Sequence, residues 1–324
     1  MSALQPSGSL VRVPRLALPW PQVLLVCILV AAPHFLSEAF VLQATDVLVF
    51  VLLAVSVNLL IGYGGMISMG HAAFFAIGGY TAGLLAAKAG FAWLPSMLAA
   101  PLAATLAAAV IGFFCIRVTH AYFIMLTMAF GQLVYTIVWK WREYTNGDDG
   151  LIGIEPPKFL LDAFHYYYFT LAVILACLWV IHRVCDSPFG AALKAIRDTP
   201  ARSRSIGIDV ARFQLAAFML AGFFAGIAGA LYVFQNRAIF PMSAHWITST
   251  DIMLMAVVGG ANHFAGPIVG AVFIKTLSIA IPRLTEYWLF FLGCIVLVVA
   301  FVMPQGLMAG YERLRARLER GRRH

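Results

Sequence analysis

The sequence predicts an all-α integral membrane protein of about ten transmembrane helices (eight to ten), some short or broken, with one polar loop built from short helices. Three observations predict this. Of the 324 residues, 62% are hydrophobic and 11% charged, and the mean hydropathy is +0.89; soluble domains carry roughly 25% charged residues. Apolar runs approaching the roughly 20 residues that cross a bilayer recur along the whole chain. The charges also sort by loop, basic on one side and acidic on the other.

The apolar segments fall at about 19–36, 45–62, 70–88, 93–114, 120–139, 165–182, 213–233, 246–259, 266–281 and 287–304. The first follows Arg12 and Arg15 and ends near Ser37-Glu38-Ala39, a small-x-small pattern like a signal-peptide cleavage site. The length of the run and the span that follows at once favour an uncleaved helix. The eighth and ninth segments are short and interrupted by glycine, as re-entrant or broken helices are.

With the N-terminus inside, Arg12, Arg15, Arg117, Arg183, Lys194, Arg197, Arg202, Arg204, Arg212 and the tail from Arg313 to Arg323 all fall on the inner side. Glu38, Asp46, Glu143, Asp148, Asp149, Glu155, Asp162 and Glu286 fall outside. This split places both termini in the cytoplasm, and it makes the basic tail a topological anchor rather than a nucleic-acid-binding arm. The chain divides into an N-terminal segment 1–18, a transmembrane domain 19–310 with its polar loop at 184–212, and a basic cytoplasmic tail 311–324. The longest outer loop, Trp141 to about Phe164, contains Thr145-Asn-Gly-Asp-Asp-Gly150 and reads as a compact acidic turn. The five cysteines, Cys27, Cys115, Cys177, Cys185 and Cys294, form no CxxC pair and read as small core residues.

The polar loop has its own grammar. Ser187 stands as an N-cap with Pro188 at the first helical position. Phe189, Leu193 and Ile196 share one face, with Lys194 and Arg197 elsewhere. Pro200 interrupts, a second short helix runs to Ile206, and Gly207 is the stop. Gly190, Ala191, Ala192 and Ala195 keep the profile low, so the loop reads as a docking knob; the competing reading is a solvated basic loop. No motor lies within the chain. A P-loop needs Gly-Lys-[Ser/Thr], whereas Ile274 precedes Lys275-Thr276 inside a span. HExxH, GxSxG and paired-carboxylate motifs are absent too, and His71, His120, His245 and His263 are scattered at span ends as packed or interfacial side chains.

Two glycine clusters stand out. Asn58–Tyr80 holds Gly64, Gly65 and Gly70, with Ser68 and His71 placed to satisfy backbone groups freed by a break. Val258–Gly270 holds Gly259, Gly260 and Gly266. Tight helix packing alone is the competing reading of both. Asp251 and Lys275 fall at matching depths in the eighth and ninth spans, either as an ion pair or lining an outer vestibule. Asn58, Ser56 and Gln132 are weaker candidates for a polar path, since each could simply hydrogen-bond between helices.

The segment Leu59–Tyr80, the loop with Ala195-Ile-Arg197 and Ile206-Gly207, the run Ala221–Tyr232, the Gly259–Gly270 cluster and Met303-Pro-Gln-Gly-Leu307 occur in order. Together, over about residues 45–310, they resemble the LivM-type permease of branched-chain amino acid ABC importers. That resemblance implies a multi-pass subunit of the bacterial inner membrane. It would pair with a LivH-type homologous permease, two cytoplasmic ATPase subunits and a periplasmic solute-binding protein. It implies no cofactor on this chain, with ATP and Mg held by the ATPases. The polar loop becomes the ATPase-coupling loop, with Gly190, Ala195, Ile196, Arg197, Ile206 and Gly207 matching the family's pattern and Ser187 and Phe189 belonging to the same helix. Arg202-Ser-Arg-Ser205 departs from a stretch that is Ala-rich in the family. The expected solute is a branched-chain or related hydrophobic amino acid; urea, amides and aromatic acids are the alternatives within the same machine. An ion-coupled secondary transporter would need functional intramembrane carboxylates, of which Asp251 is the clear one, and an intramembrane enzyme would need a nucleophile or metal constellation.

Overall fold

The computed structural model describes residues 29–35, 37–118, 121–303 and 305–310. Its long helices are α1 (Glu38–Asn58), α2 (His71–Ala87), α3 (Trp93–Cys115), α4 (Ala121–Lys140) and α5 (Ala163–Cys185). Two short helices follow, α6 (Pro188–Asp198) and α7 (Pro200–Ser205), then α8 (Val210–Asn236), α9 (Trp246–Gly259), α10 (Gly266–Ala280) and α11 (Trp288–Val302). Among the described residues six helical segments are long and apolar enough to cross a membrane, and α2, α9 and α11 are shorter apolar helices. The predicted spans from the second to the tenth therefore each have a helix. Most of the predicted first span, with Arg12, Arg15 and Cys27, lies outside the described residues, as do His120 and the basic tail.

Small residues set the packing. Along α8, Gly222-Phe-Phe-Ala-Gly226 and Gly229 place glycine or alanine against α2 and α3. A Cβ built on Gly222 would lie 2.6 Å from the Ala108 Cβ, and one on Gly78 2.5 Å from the Gly226 Cα. The three backbones thus approach as closely as small-xxx-small interfaces allow. Phe74 of α2 meets Phe218 of α8 edge-on at 5.3 Å, filling the core where the glycines end. Cys115, Cys177 and Cys185 are buried, as core residues should be, whereas Cys294 is exposed on α11.

Two placements differ from the sequence reading. Asp46 is not in an outer loop: α1 begins at Glu38, so Asp46 lies about two turns inside it, where Asn236 Nδ2 donates to its Oδ1 at 3.4 Å. The helix starts early because its first residues, Ala39 to Gln43, carry no breaker. The other concerns α9, which does not start at the outer end of the bundle. After α8 the chain folds back. Strand β2 (Ala238–Ile239) pairs antiparallel with β1 (Leu151–Ile152), and a 3-10 turn over Pro241–Ala244 leads into α9. Tyr80, nine residues into α2, donates its hydroxyl to the Ile239 carbonyl at 3.4 Å, so this returning segment is well below the end of α2. α9 consequently begins at mid-depth and reaches only the end of the bundle that carries α6 and α7.

Candidate coupling end and intramembrane polar sites

The end that carries α6 and α7 is built around the last turn of α1. There the α-helix gives way to a π-helical turn, Leu59–Tyr63, followed by non-helical backbone through Gly64–Gly70. π-turns insert one extra residue and often mark functional sites. Gly65 has φ +66, a conformation open to glycine. α6 lies across this turn. The stem of Arg197 packs on Gly65, leaving no room for a Cβ there, and its Nη1 donates to the Gly62 carbonyl. Arg197 Nε also donates to Asp198 Oδ1 at 3.0 Å. Lys194 Nζ sits 4.8 Å from the centre of the Tyr63 ring. On its other side Gly62 abuts the carbonyl of Ala261, in the turn between α9 and α10.

That second turn is itself built on glycine. Gly260 has φ +112, Gly259 and Gly266 are in backbone contact, and Gly306 packs against Gly260. Residues from four of the sequence motifs, 59–65, 195–197, 259–266 and 305–306, therefore converge at one end of the fold. The fifth motif, Ala221–Tyr232, supplies the glycine face of α8.

The amphipathic stripe of α6 is used inside the protein. Leu193 and Ile196 are fully buried, Phe189 stacks on Phe213 at 5.5 Å, and Gly190 backs onto the Cys185 carbonyl. The face left free for a partner is the opposite one, with Ala191, Lys194, Arg202, Arg204 and Ile206; Ile206 is 70% exposed. Ala195 is half-buried between the two faces. Ser187 occupies the N-cap position, but its hydroxyl donates back to the Val184 carbonyl at 2.7 Å rather than capping α6. Gly207, with φ +88, follows α7 as its stop.

The broken segment resumes as a helix inside the bundle. Met69 N–H donates to Thr127 Oγ1 at 3.2 Å, Gly70 N–H to Ser68 Oγ at 3.4 Å, and Ala72 N–H to Ser249 Oγ at 3.0 Å. These hydroxyls satisfy amides that lack helical acceptors. Gly70 packs on the Thr127 carbonyl. His71 is wholly buried, with Nε2 2.7 Å from Ser56 Oγ. Ser56 Oγ also lies 2.8 Å from the Leu53 carbonyl, to which its hydroxyl can donate. Nδ1 and the buried Asn58 Oδ1 have no hydrogen-bond partner among the described residues. Gln132 is exposed on α4. Thr127 and Ser249, which the sequence reading missed, have no local signal; only the fold brings them to the break.

Asp251 and Lys275 share a depth, as the sequence reading expected. Gly259 and Gly266 are in contact, and the two charges lie eight and nine residues beyond them, roughly 12 and 13 Å at 1.5 Å per residue. They form no contact ion pair. Lys275 Nζ lies 3.3 Å above the Phe50 ring, within the fields of both Asp46 and Asp251. Asp251 lies five residues into α9, below the mid-depth start of that helix. Among the described residues no cluster of His, Cys, Asp and Glu could hold a metal ion.

Broken helices inside an apolar bundle are an architecture that membrane transporters use. Residues 40–300 match the family model for the branched-chain amino acid transport system / permease component, and the chain belongs to that family. It is 27% identical over 311 residues to the high-affinity branched-chain amino acid transport system permease protein LivM of Salmonella typhimurium, covering 88% of this chain and 73% of that protein. It is 26% identical over 313 residues to LivM of Escherichia coli, covering 88% and 74%. A shorter likeness, 29% over 127 residues, covers 39% of this chain and 37% of the probable branched-chain amino acid transport permease protein LivH of Methanocaldococcus jannaschii. No solved structure matches the chain.

Proposed function

We propose that the chain is the membrane-spanning permease subunit of a bacterial ATP-binding-cassette importer, moving branched-chain or related hydrophobic amino acids delivered by a periplasmic binding protein. The observation that carries this reading is the contact between α6 and the π-turn: Arg197 holds the Gly62 carbonyl and lies across Gly65. A helix seated by its apolar stripe and a guanidinium, with a basic face turned outward, suits a grip from outside the membrane.

In this reading two cytoplasmic ATPase subunits bind the outward face of α6 and α7, and ATP and Mg reside on them. A homologous, LivH-type permease completes the membrane unit. The end bearing α6 and α7, and with it both termini, faces the cytoplasm of a cell bounded by the inner membrane. Movement of α6 passes through Arg197 to the π-turn and on to the broken segment with Ser68 and His71. Asn58, Ser68, His71, Gln132, Asp251 and Lys275 are the polar groups available to a translocation path. The solute's identity rests with the binding protein, so the path needs only weak, mixed polar and apolar contacts.

The test is co-reconstitution with the two ATPases, the second permease and the binding protein. Arg197→Ala should leave ATP hydrolysis running while uptake falls away, and a ligand screen by thermal shift on the binding protein should select leucine, isoleucine or valine. Undiminished uptake by Arg197→Ala would remove the coupling role, and selection of urea, amides or aromatic acids would replace the solute.

A further inference from the structure

The outward side of α3 is an apolar stripe with a cationic end. Leu94, Leu98, Leu102, Leu106, Val110 and Phe114 recur every fourth residue, and each is about half exposed or more. From Leu94 to Phe114 the stripe is roughly 30 Å long at 1.5 Å per residue, about the thickness of a hydrocarbon core. Arg117, just past the helix, therefore stands at headgroup level. It does so at the end of the bundle where α7 hands over to α8, because Gly112 of α3 abuts Leu215 and Phe218 near the start of α8.

Two guanidinium groups meet this level. Arg117 Cζ lies 4.0 Å from the centre of the Phe113 ring, and Phe113 is itself exposed. A guanidinium laid on a ring keeps its N–H groups available at its edge. Among the described residues no carboxylate pairs with Arg117. The second guanidinium comes from α8. A Cβ on Gly112 would lie 2.8 Å from Phe218 Cδ1 and 2.9 Å from Leu215 Cδ1, so the last turn of α3 lies against the first turns of α8. Arg212 stands about one turn before Leu215, on the same side of the membrane as Arg117, and is 88% exposed. Its Nε donates to Asp209 Oδ2 at 2.9 Å and its backbone N–H to Asp209 Oδ1 at 3.2 Å. Both oxygens of Asp209 are thus engaged, while the Nη groups of Arg212 have no acceptor among the described residues.

We propose that this end of the α3–α8 seam binds the headgroup of an anionic phospholipid, with the phosphate on Arg117 and Arg212 and one acyl chain along Phe114, Val110 and Leu106. Two arginines with no free carboxylate beside them match a headgroup that carries no ammonium. A zwitterionic headgroup would bring an ammonium that finds no acceptor there. A soluble phosphate would satisfy the arginines and leave the stripe unused. The cytoplasmic leaflet is the one whose anionic lipids attract basic segments. The site goes beyond the permease reading and shares with it only the cytoplasmic placement of this end.

Native mass spectrometry of the full chain in detergent, with phosphatidylglycerol or phosphatidylcholine of identical acyl chains added, tests the proposal. Phosphatidylglycerol should be retained at a concentration several-fold lower than phosphatidylcholine requires. Arg117→Gln and Arg212→Gln should each weaken that retention about fivefold, the effect of one basic residue near a membrane surface. Arg117→Lys should keep most of it. Phosphatidylglycerol should also raise the thermal unfolding midpoint of the parent chain and not that of the double variant, whose midpoint without lipid checks its folding. Glycerol phosphate, which has the phosphate and no acyl chains, should not replace the lipid. Arg283→Gln, which removes a guanidinium lying over Phe40 at the opposite end, should leave retention as it was. Equal retention of the two lipids, undiminished phosphatidylglycerol retention by the double variant, an equal loss from Arg283→Gln, or equal stabilisation by glycerol phosphate would each overturn the assignment.

Discussion

Replacing Gly229 with alanine gives a sharp test of how the bundle is held together, because Gly293 provides the same substitution with the opposite expected sign. Both glycines lie inside helices. A Cβ on Gly229 would sit 2.7 Å from the Gly79 amide nitrogen and closer still to the Phe75 carbonyl oxygen. These two atoms are hydrogen-bond partners across one turn of α2, so they are backbone that cannot swing aside. To admit the methyl, α2 and α8 must separate by roughly 1 Å, which forfeits a quarter to a half of each affected dispersion contact. Overpacking of this kind costs about 1–3 kcal/mol, offset by about 1 kcal/mol of gained helix propensity. The net expectation for Gly229→Ala is a loss of up to about 2 kcal/mol. At Gly293 nothing lies within 4 Å of the built Cβ, so the propensity gain stands alone and Gly293→Ala should be neutral to stabilising by up to about 1 kcal/mol. Thermal unfolding of the detergent-solubilised protein, followed by intrinsic tryptophan fluorescence, reads both. If the two variants shift the midpoint in the same direction by the same amount, close packing at the α2–α8 seam is not what holds it.

Other expectations follow from single contacts. Ser249→Ala leaves the buried Ala72 N–H without its acceptor and should lower stability by about 1–3 kcal/mol, with Ser249→Thr recovering most of it in the same melting assay. Lys275→Met removes the cation that faces Asp46 and Asp251; the loss should be non-additive with Asp46→Asn, and a double-mutant cycle on thermal stability measures that coupling. Gly207→Val forces a β-branched residue into φ +88, costing roughly 1–2 kcal/mol locally. Limited proteolysis should then cut the α7–α8 connection faster while the melting of the bundle is unchanged.

Hydropathy made the helices legible: every predicted span from 45–62 onward has a helix, because a run of apolar residues with few charges has one stable form in a bilayer. α6 and α7 were legible from Ser187-Pro188, Pro200 and Gly207 for a related reason, since caps and stops act over a few residues. The direction in which α6 uses its stripe was not legible. The alternation of Leu193 and Ile196 says only that something covers them, and the structure covers them with the protein itself. Long-range placement was also hidden. Asp46 read as a loop charge because it stands at the edge of an apolar run, and although the shortness of α9 pointed to a re-entrant or broken helix, nothing in Ala238–Ala244 showed that the chain turns back against α2. The hydroxyls of Thr127 and Ser249 look like any others in a helix until the broken segment arrives beside them.

The π-turn at Leu59–Tyr63 has a consequence for rotation. A π-turn spends one residue more than an α-turn, and each residue of an α-helix advances the chain by about 100°. The extra residue therefore sets the angular phase at which Gly62 and Gly65 face Arg197. If the turn tightens to α-helical hydrogen bonding, the backbone beyond it is redirected by about that angle and the Gly62 carbonyl swings off the guanidinium. A pull on α6 and a change of hydrogen-bond pattern in α1 are then a single event, and deleting one residue from Leu59–Tyr63 should fix the chain in one phase.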